Sequence, residues 1–359
     1  MRHTDIGGQA LIEGVMMRSE KGTAVVVRRS DGSLAKEFTH QRTRYKKGSF
    51  PTWPFVRGIY AFVQALSDGM SITTRAAELL GEETEEPSKF ELWLSRRFNK
   101  SAMDIVKGVA IFLAALLAIG LFVLMPIGIV ELIELIFGKM NLAWSTVVQG
   151  LIRLAIFLLY IYGISRIKDI KRVFMYHGAE HKTIACYESE LEMTPENAAT
   201  CTRLHPRCGT NYLFLTMAVS ILVTTAVTAL CTLIPGFADW EKSGANRFLF
   251  RLLRIVLIPL IAGVSYEVLK TAAKHENLLC RIVRAPGLAL QHLTTQEPTE
   301  DMLEVAIASF ELALHPPKGD LSFDPGTPLA TEGGEPTEAQ EAPDEPKEVP
   351  NEPQEETKE

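Results

Sequence analysis

The chain has 359 residues and a formal net charge of −6, with 47% hydrophobic residues and five cysteines. That length allows two domains, and an odd, sparse cysteine set excludes a disulfide scaffold and reads as reduced thiols. The acidity sits in the tail: residues 316–359 carry 13 Asp/Glu against three Lys/Arg, a net of −10, which leaves +4 for the remainder. With so little basic excess no nucleic acid is expected as a partner.

Residues 1–48 read as a β-rich cytosolic segment. Gly7–Arg18 is apolar and punctuated by glycine, Thr23–Val27 is β-branched, and Asp31-Gly32 is a turn dipeptide. Two or three antiparallel strands are expected. No apolar run in residues 1–30 is long enough for a signal peptide. Residues 49–100 read as amphipathic helix and acidic linker. Trp53-Pro54 opens the helix, Phe55, Ile59, Phe62, Val63 and Leu66 recur at helical spacing, and Glu82–Pro87 ends it.

Residues 101–285 read as a membrane domain with four crossing helices, at about 105–130, 144–164, 212–234 and 248–268. Each reaches the roughly 20 residues a bilayer core demands. The second is interrupted by Arg153, which reads as a partner for a buried carboxylate or a snorkelling residue; the fourth contains Arg251, Arg254 and Pro259. Basic residues crowd the stretch before the first segment, the loop 165–211 and the stretch after the fourth, so the positive-inside bias puts that loop and both termini in the cytoplasm. Residues 286–315 read as a short cytosolic helical segment, with a helix over Met302–Leu314. Residues 316–359 are too polar to order themselves and read as a disordered acidic tail. The fold class is mainly α: a four-helix polytopic membrane domain with a small β-rich cytosolic segment. The expected partners are the lipid bilayer and a second copy of the chain in a homo-oligomer.

His177-Gly178-Ala179-Glu180-His181 carries the strongest chemical signal. On a helix these three polar side chains share one face. The order H-x-x-E-H is that of zinc peptidases in which two histidines hold the metal and the glutamate is the general base; the bland alternative is a solvated loop. His205-Pro206-Arg207-Cys208 adds an imidazole and a thiol at a chelating spacing. Glu267, at the cytoplasmic end of the fourth segment, demands a partner or a cation. Four crossings from a cytoplasmic N-terminus bring all three pieces to one membrane face. His275 and Glu276 read as solvated. The Gly8–Arg18 run lacks the phosphate-loop pattern. It reads as a tight turn with close backbone packing or as a flap over the cluster, with Glu13 and Arg18 as weak candidates for substrate contact.

Three blocks in this order, Gly7–Arg18, His177–Thr183 and Leu204–Asn211, resemble the hallmark blocks of the bacterial YqhQ-like family. Leu293-Thr294-Thr295-Gln296-Glu297-Pro298 fits as well, so the resemblance covers roughly residues 5–312. It is a domain-of-unknown-function family described as predicted metal-dependent membrane enzymes, and the resemblance implies membership rather than a reaction. The leading expectation is a metal-dependent hydrolase with a divalent metal, zinc first, held by His177 and His181. His205, Cys208 or Glu267 would complete the set, with Glu180 as general base. A membrane scaffold or assembly factor with a closed structural metal site is the alternative, and a solute or ion carrier ranks last because no inverted repeat is evident.

Overall fold

The computed structural model describes residues 4–40, 49–80, 102–242, 246, 249, 250, 252, 256–275 and 277–321. The expected acidic linker and nearly all of the expected disordered tail lie outside those residues, as do Arg251, Arg254 and Glu276.

Four strands, not two or three, open the fold: β1 (Gly7–Leu11), β2 (Gly14–Arg18), β3 (Gly22–Arg28) and β4 (Leu34–His40), an antiparallel meander in chain order. The apolar run Gly7–Arg18 folds back on itself because Ile12-Glu13 makes a two-residue turn in which Glu13 adopts φ 51°. Side chains alternate between the two faces of a strand, and here both faces are buried. Val15, Met17, Ala24, Val26 and Phe38 join one core; Leu11, Met16, Val25, Val27 and Ala35 join the other.

The second core is closed by Ala76 and Leu79 of α1 (Val56–Leu80). The first is closed by α5 (Lys168–Glu188), α6 (Pro195–Thr200) and α11 (Glu300–Leu314). The helix expected at Met302–Leu314 is present, its buried Met302, Leu303, Val305, Ala306, Phe310 and Ala313 lying at helical spacing. The stretch read as a polar loop, 165–211, is built around the 21 residues of α5. Glu13 ties the β1–β2 turn to it: its carboxylate accepts from Arg172 Nε and NH2 at 2.5 Å each and from Tyr176 Oη at 3.2 Å.

Between these layers come the apolar helices. α2 (Ala102–Ile119), a π-helical turn (Gly120–Leu124) and α3 (Met125–Phe137) form one continuous rod. α4 is Leu142–Ile164 and α7 is Gly209–Thr232. By length and composition three helices among the described residues could cross a membrane: Gly108–Phe137, Leu142–Ile164 and Gly209–Thr232. Leu117, Leu135, Phe137 and Leu222 face outward, 68–82% exposed, a surface that only a lipid environment accommodates.

Three of the four expected crossing helices are thus seen among the described residues. The region 248–268 is described only in part, and its continuous helix, α9 (Ile258–Lys274), has 17 residues. Pro259 stands in its first turn, where a missing N–H costs nothing. A short α8 (Phe237–Lys242) precedes it. Arg153 has a main-chain partner. Its Nε donates to Phe122 O at 2.9 Å, in the π-helical turn, where the i→i−4 ladder is interrupted.

The membrane helices meet at small residues. A Cβ on Gly150 of α4 would sit 2.6 Å from Ile221 Cγ1 of α7, and one on Gly58 of α1 would sit 3.0 Å from Gly263 Cα of α9. Small residues let helices approach where apolar lipid gives no hydrophobic drive for association. Gly150→Val is therefore expected to push α4 from α7 and cost about 1–3 kcal/mol, seen as a lower thermal midpoint of the detergent-solubilised protein.

A buried histidine and cysteine cluster beside a cavity

Helix α5 presents His177, Glu180 and His181 on one face, as their spacing requires. Two chain segments from elsewhere close on that face. The first is the loop before α7, where Cys208 is the N-cap and its sulfur accepts from Thr210 N at 3.4 Å. The second is the end of α10 (Leu278–Thr294) and the extended stretch after it. That stretch lies against α5 because residue 178 is glycine: a Cβ there would fall 2.0 Å from Gln296 O.

The two imidazoles are oriented by main-chain carbonyls. His177 Nδ1 lies 2.8 Å from Thr294 O, and His181 Nδ1 lies 2.5 Å from Arg203 O. A carbonyl oxygen only accepts, so each Nδ1 carries the proton and each Nε2 is left with a lone pair. Both rings lie close, 4.4 Å between centroids. His177 Nε2 meets Cys208 Sγ at 3.2 Å. His181 is 1% exposed, and its Nε2 has no hydrogen-bond partner. One ligand atom from each of His177, His181 and Cys208 fits within a 4.8 Å circle, the one such group among the described residues. An orphaned buried imidazole nitrogen is costly. Two nitrogens and a sulfur around it form a donor set suited to a tetrahedral cation such as zinc, and carbonyl-anchored Nδ1 atoms are the usual support of metal-binding histidines. The residues present thus fit a metal ion.

Glu180 is 5% exposed, and its carboxyl group packs against Gly8 of β1. Burial pushes its pKa upward, opposed by His177 and by the Gly8 amide. Gly8 is obligatory here, since a Cβ would fall 2.9 Å from the Glu180 carboxyl carbon and 2.6 Å from Met16 O. The glycine-punctuated N-terminal run therefore packs its backbone onto the Glu180 carboxyl group.

A cavity of about 670 Å³ opens over this face. Glu180, His177 and Cys208 form one wall, Gly7–Ala10 of β1 another, and Asp68, Gly69 and Ile72 of α1 a third. Arg18 lines it, donating to Asp68 at 2.9 Å. Glu13 does not line it, being engaged with Arg172 and Tyr176.

Two expected ligands are placed elsewhere. Glu267 is not brought to the cluster; it accepts from Arg57 Nε at 2.7 Å, Arg57 NH2 at 2.5 Å and Phe55 N at 3.3 Å, binding the start of α1 to α9. Its need for a partner is met by a guanidinium. His205 stands beside the cluster, its ring 5.6 Å from that of His181, but its Nε2 faces Arg207 NH2 at 3.3 Å and Glu188 at 4.0 Å. Burial, the neighbouring His181 and the Arg207 guanidinium hold its pKa down at about 3, so the ring is neutral. Its main chain does the positioning. Gln291 Oε1 accepts from His205 N at 2.8 Å, and Gln291 Nε2 donates to His205 O at 2.7 Å and to Asn211 Oδ1 at 2.9 Å. His275 is exposed, as expected.

Gln291, Gly178 and the two carbonyls were not legible as site residues. The carbonyls have no sequence signal, while Gln291 carries only the trace of a polar residue on the apolar face of an amphipathic helix.

The fold and site define a membrane-helix protein that holds a His/His/Cys cluster under a small α/β layer. The chain belongs to the DUF1385 family, described as a protein of unknown function, whose profile matches residues 53–316. It is 34% identical over 307 residues to the Uncharacterized protein YqhQ of Bacillus subtilis (strain 168), covering 85% of this chain and 90% of that one. No solved structure matches it.

Gln291→Leu removes three hydrogen bonds from a fully buried group. Each main-chain or amide group left unpaired costs about 1–3 kcal/mol. The expected result is faster amide hydrogen exchange across 203–211 together with a lowered thermal midpoint.

Proposed function

We propose that the chain is a metal-dependent hydrolase working at the cytoplasmic face of a membrane, with zinc held by His177 Nε2, His181 Nε2 and Cys208 Sγ. The observation that carries this reading is the orphaned, buried His181 Nε2 facing a second imidazole and a thiol, with Glu180 exposed to a cavity on the same side. A bound zinc supplies Lewis-acid polarisation and brings water's pKa near 7. The chain's own residues do the rest. Thr294 O and Arg203 O keep both histidines in the tautomer that offers Nε2. Glu180 lies at the edge of the cavity, and the upward shift that burial gives its pKa is the direction that suits general acid–base work near neutral pH. β1 and α1 shield the site from bulk water and leave room for a substrate.

The competing reading is a scaffold with a closed structural site. A structural site has four protein ligands. Here three donors converge, His205 and Glu267 are engaged elsewhere, and the carboxylate borders a cavity, which supports the open, catalytic arrangement. The orientation with both termini in the cytoplasm rests on the basic residues around α5 and after α9 and places the cavity on the cytoplasmic side.

Metal analysis of detergent-purified full-length protein tests the reading. Wild type is expected to hold close to one zinc per chain. His181→Ala and Cys208→Ala are expected to lose it, whereas His205→Ala and Glu267→Gln keep it. Glu180→Gln is expected to retain the metal while losing hydrolysis. Wild-type protein that is metal-free and takes up neither zinc nor manganese overturns the proposal.

A further inference from the structure

Helix α10 is amphipathic in an unusual sense: its inner face is a set of site contacts and its outer face is bare and apolar. Cys280, Gly287, Leu290, Gln291 and Thr294 are buried, spaced along one side. On the other side Leu278 is 72% exposed, Leu279 69% and Ile282 58%, and Ala285, Pro286 and Ala289 are exposed with them. Arg281 is exposed beside this stripe and Arg284 is half-buried. No Asp or Glu occurs from 277 to 296.

The position of the helix says what covers that stripe. A Cβ on Gly287 would meet Asn211 Oδ1 at 2.6 Å, so α10 rests on the first turn of α7. The end of a crossing helix lies at the boundary between hydrocarbon and headgroups. A helix lying there with apolar residues outward and arginines alongside has the character of an interfacial amphipathic helix, and its arginines complement anionic headgroups.

We infer that the outer face of α10 is a lipid-binding surface, seated in the interfacial layer of an anionic phospholipid leaflet with Arg281 and Arg284 against the headgroup phosphates. The inner end of the same helix supplies Thr294 O to His177 and Gln291 to the His205 main chain. The leaflet thereby bears on the element that orients the cluster, whether or not that cluster holds a metal.

The test uses the full chain in phospholipid nanodiscs, with an environment-sensitive fluorescent amino acid introduced at position 282, or at position 304 on α11 as the aqueous reference. Phospholipids brominated on the acyl chains are expected to quench the reporter at 282 and spare it at 304; aqueous iodide gives the opposite pattern. Replacing phosphatidylcholine with increasing phosphatidylglycerol is expected to shift the emission at 282. Arg281→Gln and Arg284→Gln each weaken that response about fivefold. Quenching of position 282 by iodide overturns the proposal. Protection from both quenchers in a protein that runs as a dimer overturns it too, by showing a second copy over the stripe. An unchanged phosphatidylglycerol response in the double arginine variant removes the headgroup contact.

Discussion

The arrangement of the site depends on two main-chain carbonyls. Thr294 O and Arg203 O each take the Nδ1 proton of a histidine on α5, and neither oxygen can do anything but accept. That single chemical fact turns both Nε2 lone pairs toward Cys208 and leaves one of them, on His181, dry and unpartnered. A free imidazole edge in such a place is costly, and the surrounding structure sustains it. Gly178 admits the stretch that carries Thr294 onward to Gln296, and Gln291 grips the main chain two residues from Arg203.

The parts of the molecule are joined through that same region. α7 crosses the apolar layer and ends at its N-cap on the cluster's sulfur. α5 belongs to the α/β layer and contributes both histidines and the glutamate. β1 reaches over from the sheet, and its Gly8 packs against Glu180. A second junction, at Gly58, Gly263, Arg57 and Glu267, binds α1 to α9 and is purely architectural. Charged groups near the membrane need not be functional: Glu267 has a guanidinium, and Arg153 has the carbonyl of a π-helical turn. Both conform to the rule that polar groups in an apolar layer find partners, with different partners than a metal site or a carboxylate.

Much of the fold is written in periodicities that survive without any tertiary knowledge. Glycine punctuation and β-branched runs mark the strands, and the helical repeat marks α1 and α11. Runs of about 20 apolar residues mark α2–α3, α4 and α7. The strand count was under-read because Ile12-Glu13, an apolar–acidic pair, lacks turn chemistry, and only Glu13 at φ 51° reveals the reversal.

For the site, the amino-acid sequence by itself determined that His177, Glu180 and His181 share a face, because helix geometry fixes i, i+3 and i+4. It also determined that Cys208 begins an apolar helix. It could not determine which distant groups join them. His205, Cys208 and Glu267 offered equally good ligand chemistry, and the choice among them is made by competition for partners. Arg57 takes Glu267, and Arg207 with Glu188 surrounds the ring of His205. Cys208 Sγ is left facing His177 Nε2. Only the tertiary structure decides such contests, because Arg57 and Glu267 are 210 residues apart, His177 and Cys208 are 31 apart, and the winning contact is set by where helices cross.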